Sequence, residues 1–200
     1  MNVRQGLLLV LLIAALWQGW SVWHLRAVYP PDGTLAPEDP VQINLDAQQP
    51  VAHGRWLLTP RAHYDITARI LSREDYRFDS AADLIPEDLA LGWGPMSDNR
   101  ILKDFQITQG YRFYNWRAPH GLPIPRQVVI EHSANTHVIP ADRFIRSQLG
   151  QLRVGQVVHL SGLLVDGVRN DGHWLHTSMT RSDSGPGACE IMLVEDVETL

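Results

Sequence analysis

The sequence predicts a mainly β (α+β) protein, a small closed or partly open β-barrel with one short helix, preceded by a single N-terminal transmembrane helix. Three features of the 200 residues carry this expectation. Residues 7–17 (LLLVLLIAALW) form an unbroken apolar run. Beyond residue 50, β-branched and aromatic residues recur with two-residue alternation, clearest in HYDITARILS at 63–72. Only ADRFIRSQLGQL at 141–152 places Phe144, Ile145, Gln148, Leu149 and Leu152 at helical spacing, with Asp142 at its start complementing the helix dipole.

The apolar run continues through Trp20, Val22, Trp23 and Leu25. As a helix rising about 1.5 Å per residue, positions 7–25 reach about 29 Å, close to a bilayer's hydrocarbon thickness. Trp17, Trp20 and Trp23 gather at its C-terminal end with Arg26 beyond, as suits a headgroup layer. Bulky residues after the run make a poor signal-peptidase site. The expectation is a retained anchor over residues 1–27, seated in the lipid bilayer through 7–25 of a bacterial inner membrane, with the remainder in the periplasm.

Residues 28–50 hold five prolines and four acidic residues with little apolar periodicity, and read as an extended linker. The globular domain is then expected over 51–200. Within it, strands are expected at 56–59, 63–72, 104–108, 111–117, 128–131, 136–139, 156–165, 173–180 and 189–194. Residues 78–99, punctuated by Gly92, Gly94 and Pro95, read as a loop with one helical turn at 86–91.

A net charge of -5 and scattered basic residues, with Lys103 the single lysine, argue against a nucleic-acid partner. Cys189 is the only cysteine, which excludes an internal disulfide and a multi-cysteine zinc module. It is buried and inert, paired with another chain, or reactive. No cofactor is expected.

Four polar segments compete as sites: GWGPMSDN at 92–99, YRFYNWR at 111–117, EHSANTHVIPAD at 131–142 and TSMTRSDSGPGACE at 177–190. Three chemistries follow. A thiol becomes a nucleophile beside a basic neighbour, so Cys189 with His132 or His137, Asn135 and Arg181 would make a catalytic group. His132 and His137 with Glu131 or Asp142 would make a metal site, although a spacing of five on a strand sends the two imidazoles to opposite faces. Tyr111, Phe113, Tyr114 and Trp116, beside Trp93, Arg112 and Arg117, would make an aromatic-cationic binding surface for an envelope protein, peptide or glycan, with Asp98, Asn135, His137 and Asp183 as further binding residues. The sequence favours this last reading, an envelope binding or assembly module. A thiol-dependent hydrolase or transpeptidase using Cys189, His132 and Arg181 is the alternative.

Three resemblances accompany these readings. RVGQVVHLSGLLVDG at 153–167 resembles the strands of OB-folds, where a glycine within a strand permits sharp coiling, and implies an OB-like barrel. An anchor, a β-barrel, a histidine before a helix and a cysteine 57 positions after His132 are similar to the sortase transpeptidases. That family holds the oxyanion with an arginine after its cysteine; here none follows Cys189, Arg181 precedes it, and Glu190 beside the thiol would oppose its ionisation. GWGPMSD, HSANTHVIPAD and TRSDSGPGACEIMLVED together resemble a family of small membrane-anchored bacterial proteins with no assigned activity.

Overall fold

A computed structural model describes residues 3–200, excepting the side chains of residues 3, 17, 18, 20–22 and 24. The element order is α1 (Val3–His24), β1 (Val41–Asn44), β2 (Val51–His53), β3 (Trp56–Asp75), β4 (Glu87–Gly92), α2 (Asn99–Leu102), β5 (Gln106–Gly110), β6 (Phe113–Arg117), α3 (Arg126–Glu131), β7 (Ser133–Pro140), α4 (Arg143–Leu149), β8 (Val157–Arg169), β9 (Trp174–Leu175) and β10 (Glu190–Thr199). The protein is thus mainly β, with a large mixed sheet and several short helices where one was expected.

β3 organises the sheet. Its 20 residues are long enough to pair with β8 over Trp56–Arg69 and with β4 over Arg69–Asp75. β4 pairs antiparallel with β7, β7 parallel with β10, and β10 antiparallel with β8. Gly162 marks where β10 crowds β8. It has φ +159°, and a Cβ there would lie 2.0 Å from the Leu193 carbonyl oxygen, beside the register shift between Val194 and Asp196.

Alternation sorts the side chains. Tyr64, Ile66, Ala68, Ile70, Leu89, Leu91, Val138, Leu160 and Met192 turn to one side, where Ile145 and Leu149 of α4 close the core. Asp142 caps α4 by accepting from the Ile145 N–H at 2.8 Å. The opposite face of β4 and β7 is covered by the β5–β6 hairpin and α3, through Ala90, Met96, Phe105 and Val129.

Several expectations are corrected. Residues 87–92 are not a helical turn but β4, all six residues buried. Strands sandwiched on both faces lose the alternation that identifies them. Residues 128–131 are helical, with Pro125 at the N-cap of α3 and Val129 buried, although Val128, Val129 and Ile130 favour strands. The hairpin turn falls at Tyr111-Arg112, two positions past the expected Gln109-Gly110, and the strand expected at 173–180 shrinks to β9.

Residues 28–50, read as a linker, lie against the domain. The Val28 N–H donates to the Val154 carbonyl at 2.8 Å, Gly94 N–H to Ala36 carbonyl at 2.7 Å, and Ser97 Oγ accepts from the N–H groups of Leu35 and Ala36. β1 pairs with β3. Gly155, at φ +90°, is required where the strap passes, since a Cβ would meet the Val28 carbonyl oxygen at 2.0 Å.

Among the described residues no helix is long and apolar enough to cross a membrane. α1 has 22 residues, and the apolar side chains Leu7–Ile13 and Leu16 are exposed. The expected headgroup placement of Trp17 and Trp20 lies outside the described residues.

Candidate functional site

The functional face follows from strand register. Asp88 stands opposite His137 in the β4–β7 ladder, and Ile191 opposite His137 in the β7–β10 ladder. Side chains on one face recur every second residue. Asp88 on β4, Asn135 and His137 on β7, and Cys189 two residues before Ile191 therefore share the face under the hairpin.

His137 Nδ1 lies 2.8 Å from Asp88 Oδ1. A carboxylate only accepts, so Nδ1 carries a proton. Burial, the largest single influence on His137, would lower its pKa, but hydrogen bonds to Asp88 and Cys189 and their charges outweigh it and push it up to about 9. The Asp88 carboxylate is fully buried. Its Oδ1 also accepts from Arg112 Nη1 at 3.1 Å.

Arg112 ties the hairpin to Asp88. Its guanidinium lies 3.7 Å from the Tyr76 ring centroid, donates from Nε and Nη2 to the two oxygens of Asp79 at 2.8 Å, and reaches the Ile85 carbonyl at 2.9 Å. Asp79 is held below the usual carboxylate range: burial acts to raise it, and the Arg112 and backbone hydrogen bonds outweigh burial. Tyr111 and Arg112 adopt φ of +55° and +68°, the left-handed conformations that a tight two-residue hairpin turn requires. Neither is glycine, so the turn is strained by roughly 1–2 kcal/mol per residue. The Arg112 contacts hold it in place.

Cys189 is partly exposed and borders a cavity of about 280 Å³. Tyr114, Trp116 and Arg126 form one wall, Asn135 and Ser133 the floor, and the loop Asp183–Gly185 the other wall. The Arg126 guanidinium lies 5.2 Å from the Trp116 ring centroid. Asn135 Nδ2 is 3.6 Å from Cys189 Sγ, and Sγ is 4.0 Å from the Arg112 carbonyl oxygen.

Glu190 takes the opposite face of β10 and is buried in the interior. Burial first, then the Asp183 charge, push its pKa up to about 8 against its own backbone hydrogen bond and Arg181, so the acid is largely neutral at pH 7. The objection that Glu190 would oppose thiolate formation therefore loses its force: it is neutral and faces away.

The expected site residues separate. Asn135 and Asp183 line the cavity with Cys189, as do Tyr114 and Trp116, which also pack against the Leu71–Phe105 cluster; His137 lies two residues beyond Asn135 on β7 and does not line it. His132 does not reach the thiol; it caps α3, with Nδ1 2.8 Å from the Val128 carbonyl oxygen. Arg181 is turned away to donate to the Pro40 carbonyl at 2.7 Å. Trp93 is fully buried, its indole donating to Asp39 at 3.1 Å, and offers no binding surface. Asp98 caps α2 and holds the strap through the Gly33 N–H, and Arg117 donates to Gln106. Among the described residues no group of three or more His, Cys, Asp or Glu side chains is placed to hold a metal ion. Sequence reading missed Asp88 and Gln109, and took Arg112 as part of the aromatic-cationic surface rather than as the clamp on Asp88. Asp88 sat inside the supposed helical turn, and Gln109 was assigned to the hairpin turn, whereas it belongs to β5. Compared with protein-family models, with curated proteins and with solved structures, the chain finds no match.

Proposed function

We propose that the domain is a thiol-dependent hydrolase or acyl transferase in which Cys189 is the nucleophile, His137 the general base and acid, and Asp88 the group that orients His137. The observation that carries this reading is the Asp88–His137 hydrogen bond on the strand face that also carries Cys189, whose thiol borders an open cavity. Cys189 Sγ attacks an acyl carbon; the C–S bond forms and the bond to the leaving group breaks. The thiol proton rests on His137 before the attack and passes from it to the leaving group, which leaves the imidazole neutral for the second step. Water, an alcohol or an amine then adds, His137 takes its proton, and the C–S bond breaks as the thiol is restored.

The test uses the full chain and p-nitrophenyl acetate, an activated ester. A burst of p-nitrophenol with one acetyl group on Cys189, abolished in Cys189→Ser and His137→Ala, supports the reading. A wild-type protein releasing p-nitrophenol no faster than Cys189→Ser would reject it.

An envelope binding module without catalysis is the second reading. It is favoured by the hairpin tip, where Tyr111 is 96% exposed and Phe113 also faces solvent. Under that reading Cys189→Ser is silent and Tyr111→Ser impairs the cellular phenotype.

The OB-like reading of the sheet is part of the proposal. It is supported by the ring of pairings from β3 through β4, β7, β10 and β8 back to β3, by the parallel β7–β10 pair, and by α4 between β7 and β8. Location is proposed on the exposed leucines of α1: a single-pass bacterial inner-membrane protein with its domain in the periplasm. The first strap contact, at Val28, comes four residues after α1 ends, so the domain would ride close to the lipid surface.

A further inference from the structure

We infer that the side-chain amide of Asn135 is the oxyanion donor of this site, that Gln109 sets its orientation, and that the electrophile is therefore an acyl carbonyl; this rests on the thiol-enzyme reading above. Asn135 is 6% exposed and sits two residues before His137, so both side chains project from the same face of β7.

The two ends of its amide are distinguished by chemistry. Nδ2 is 3.2 Å from the Arg112 carbonyl oxygen, which can only accept, so the amino end must point there. Oδ1 accepts from Gln109 Nε2 at 2.8 Å, which fixes the opposite end. One N–H of Asn135 is thereby committed to Arg112 and the second is directed to Cys189 Sγ at 3.6 Å. When sulfur adds to a carbonyl, negative charge grows on an oxygen adjacent to the sulfur, within reach of a donor so placed. A buried donor already oriented toward developing charge needs no reorganisation during the reaction.

Gln109 is a positioning residue and touches no substrate. It belongs to β5, and Arg112 to the turn that follows, so the same hairpin that supplies the clamp on Asp88 also aims the Asn135 amide.

The experiment compares two reactions of Cys189 in the full chain. Acylation by p-nitrophenyl acetate passes through an oxyanion, whereas alkylation by iodoacetamide does not. Asn135→Ala should slow acylation by about 10²–10³-fold, as loss of an oxyanion donor does, and slow alkylation only several-fold. Gln109→Glu, which keeps the length but replaces the donor with an acceptor, should lower acylation selectively in the same way. Circular dichroism and thermal melting confirm that each variant is folded. Equal losses in both reactions, or no loss of acylation in both variants, would overturn the inference. If the wild-type thiol is not acylated at all, the thiol-enzyme reading itself fails; if it is acylated and Asn135→Ala is unaffected, only the oxyanion assignment falls.

Discussion

Asp88 and His137, opposite one another on adjacent strands, share a 2.8 Å hydrogen bond between Oδ1 and Nδ1. The Asp88 oxygen that holds the imidazole also takes Arg112 from the hairpin, so a long-range clamp and the contact that orients His137 converge on one atom.

That arrangement predicts a pH effect. Hydrogen bonding and charge from Asp88 help to hold the His137 pKa up to about 9 against burial, and protonated His137 is the form that delivers a proton to the leaving group. Asp88→Asn removes the charge and leaves burial to act. The alkaline limb of the acylation rate should therefore move to lower pH, with a loss of tenfold or more at pH 8. An unmoved limb would mean that Asp88 does not govern His137.

Stability should fall as pH rises. Glu190 (about 8), Glu87 (about 7) and His137 (about 9) all hold their protons more tightly folded than unfolded. Between the unfolded and folded pKa the unfolded chain binds fewer protons, so the stability these groups contribute is complete below the unfolded value and lost as pH passes the folded one. The window runs from about pH 4.5 to 8 for Glu190 and from about pH 6.5 to 9 for His137. Glu190→Gln should flatten the fall of Tm between pH 5 and 8 and leave the melt at pH 5 little changed. A slope identical to wild type would contradict a neutral Glu190.

The left-handed turn gives a prediction of opposite sign. Asparagine adopts positive φ more readily than tyrosine, and Tyr111 is almost wholly exposed. Tyr111→Asn should stabilise the domain by about 1 kcal/mol, raising Tm by about 2–4 °C. A lower Tm would show that the ring contributes more than the strain costs.

Docking of the strap can be tested at Gly155. Alanine there meets the Val28 carbonyl at a distance no Cβ tolerates. Gly155→Ala should release residues 28–31 to limited proteolysis and lower Tm, whereas Gly172→Ala, also at positive φ but with open space around it, should not free the strap.

How far these features were legible in the sequence varies with the range of the interaction. β3, the β5–β6 hairpin and α4 show in local alternation or helical spacing, because each keeps one solvated face. β4 was hidden: with both faces covered, EDLALG has no period, and its acids are explained only by Arg73, Arg112 and His137 from elsewhere in the chain. The strap was misjudged because its prolines and acids bury little apolar surface, yet its backbone groups are satisfied by Ser97, Asp98 and Val154. At the site, a cysteine, a histidine and Asn135 were recognisable as a possible group. Which histidine shares the face of Asn135 is set by register, since His137 lies on β7 at even spacing from Asn135, while His132 ends the preceding helix.

The central claim, that His137 activates Cys189, is tested most directly by the second-order rate of Cys189 alkylation by iodoacetamide at pH 7 in the full chain, compared with N-acetylcysteine. A wild-type rate about tenfold or more above the free thiol, falling to or below it in His137→Ala, is the expected result. A wild-type rate no greater than that of the free thiol and unchanged in His137→Ala would contradict it.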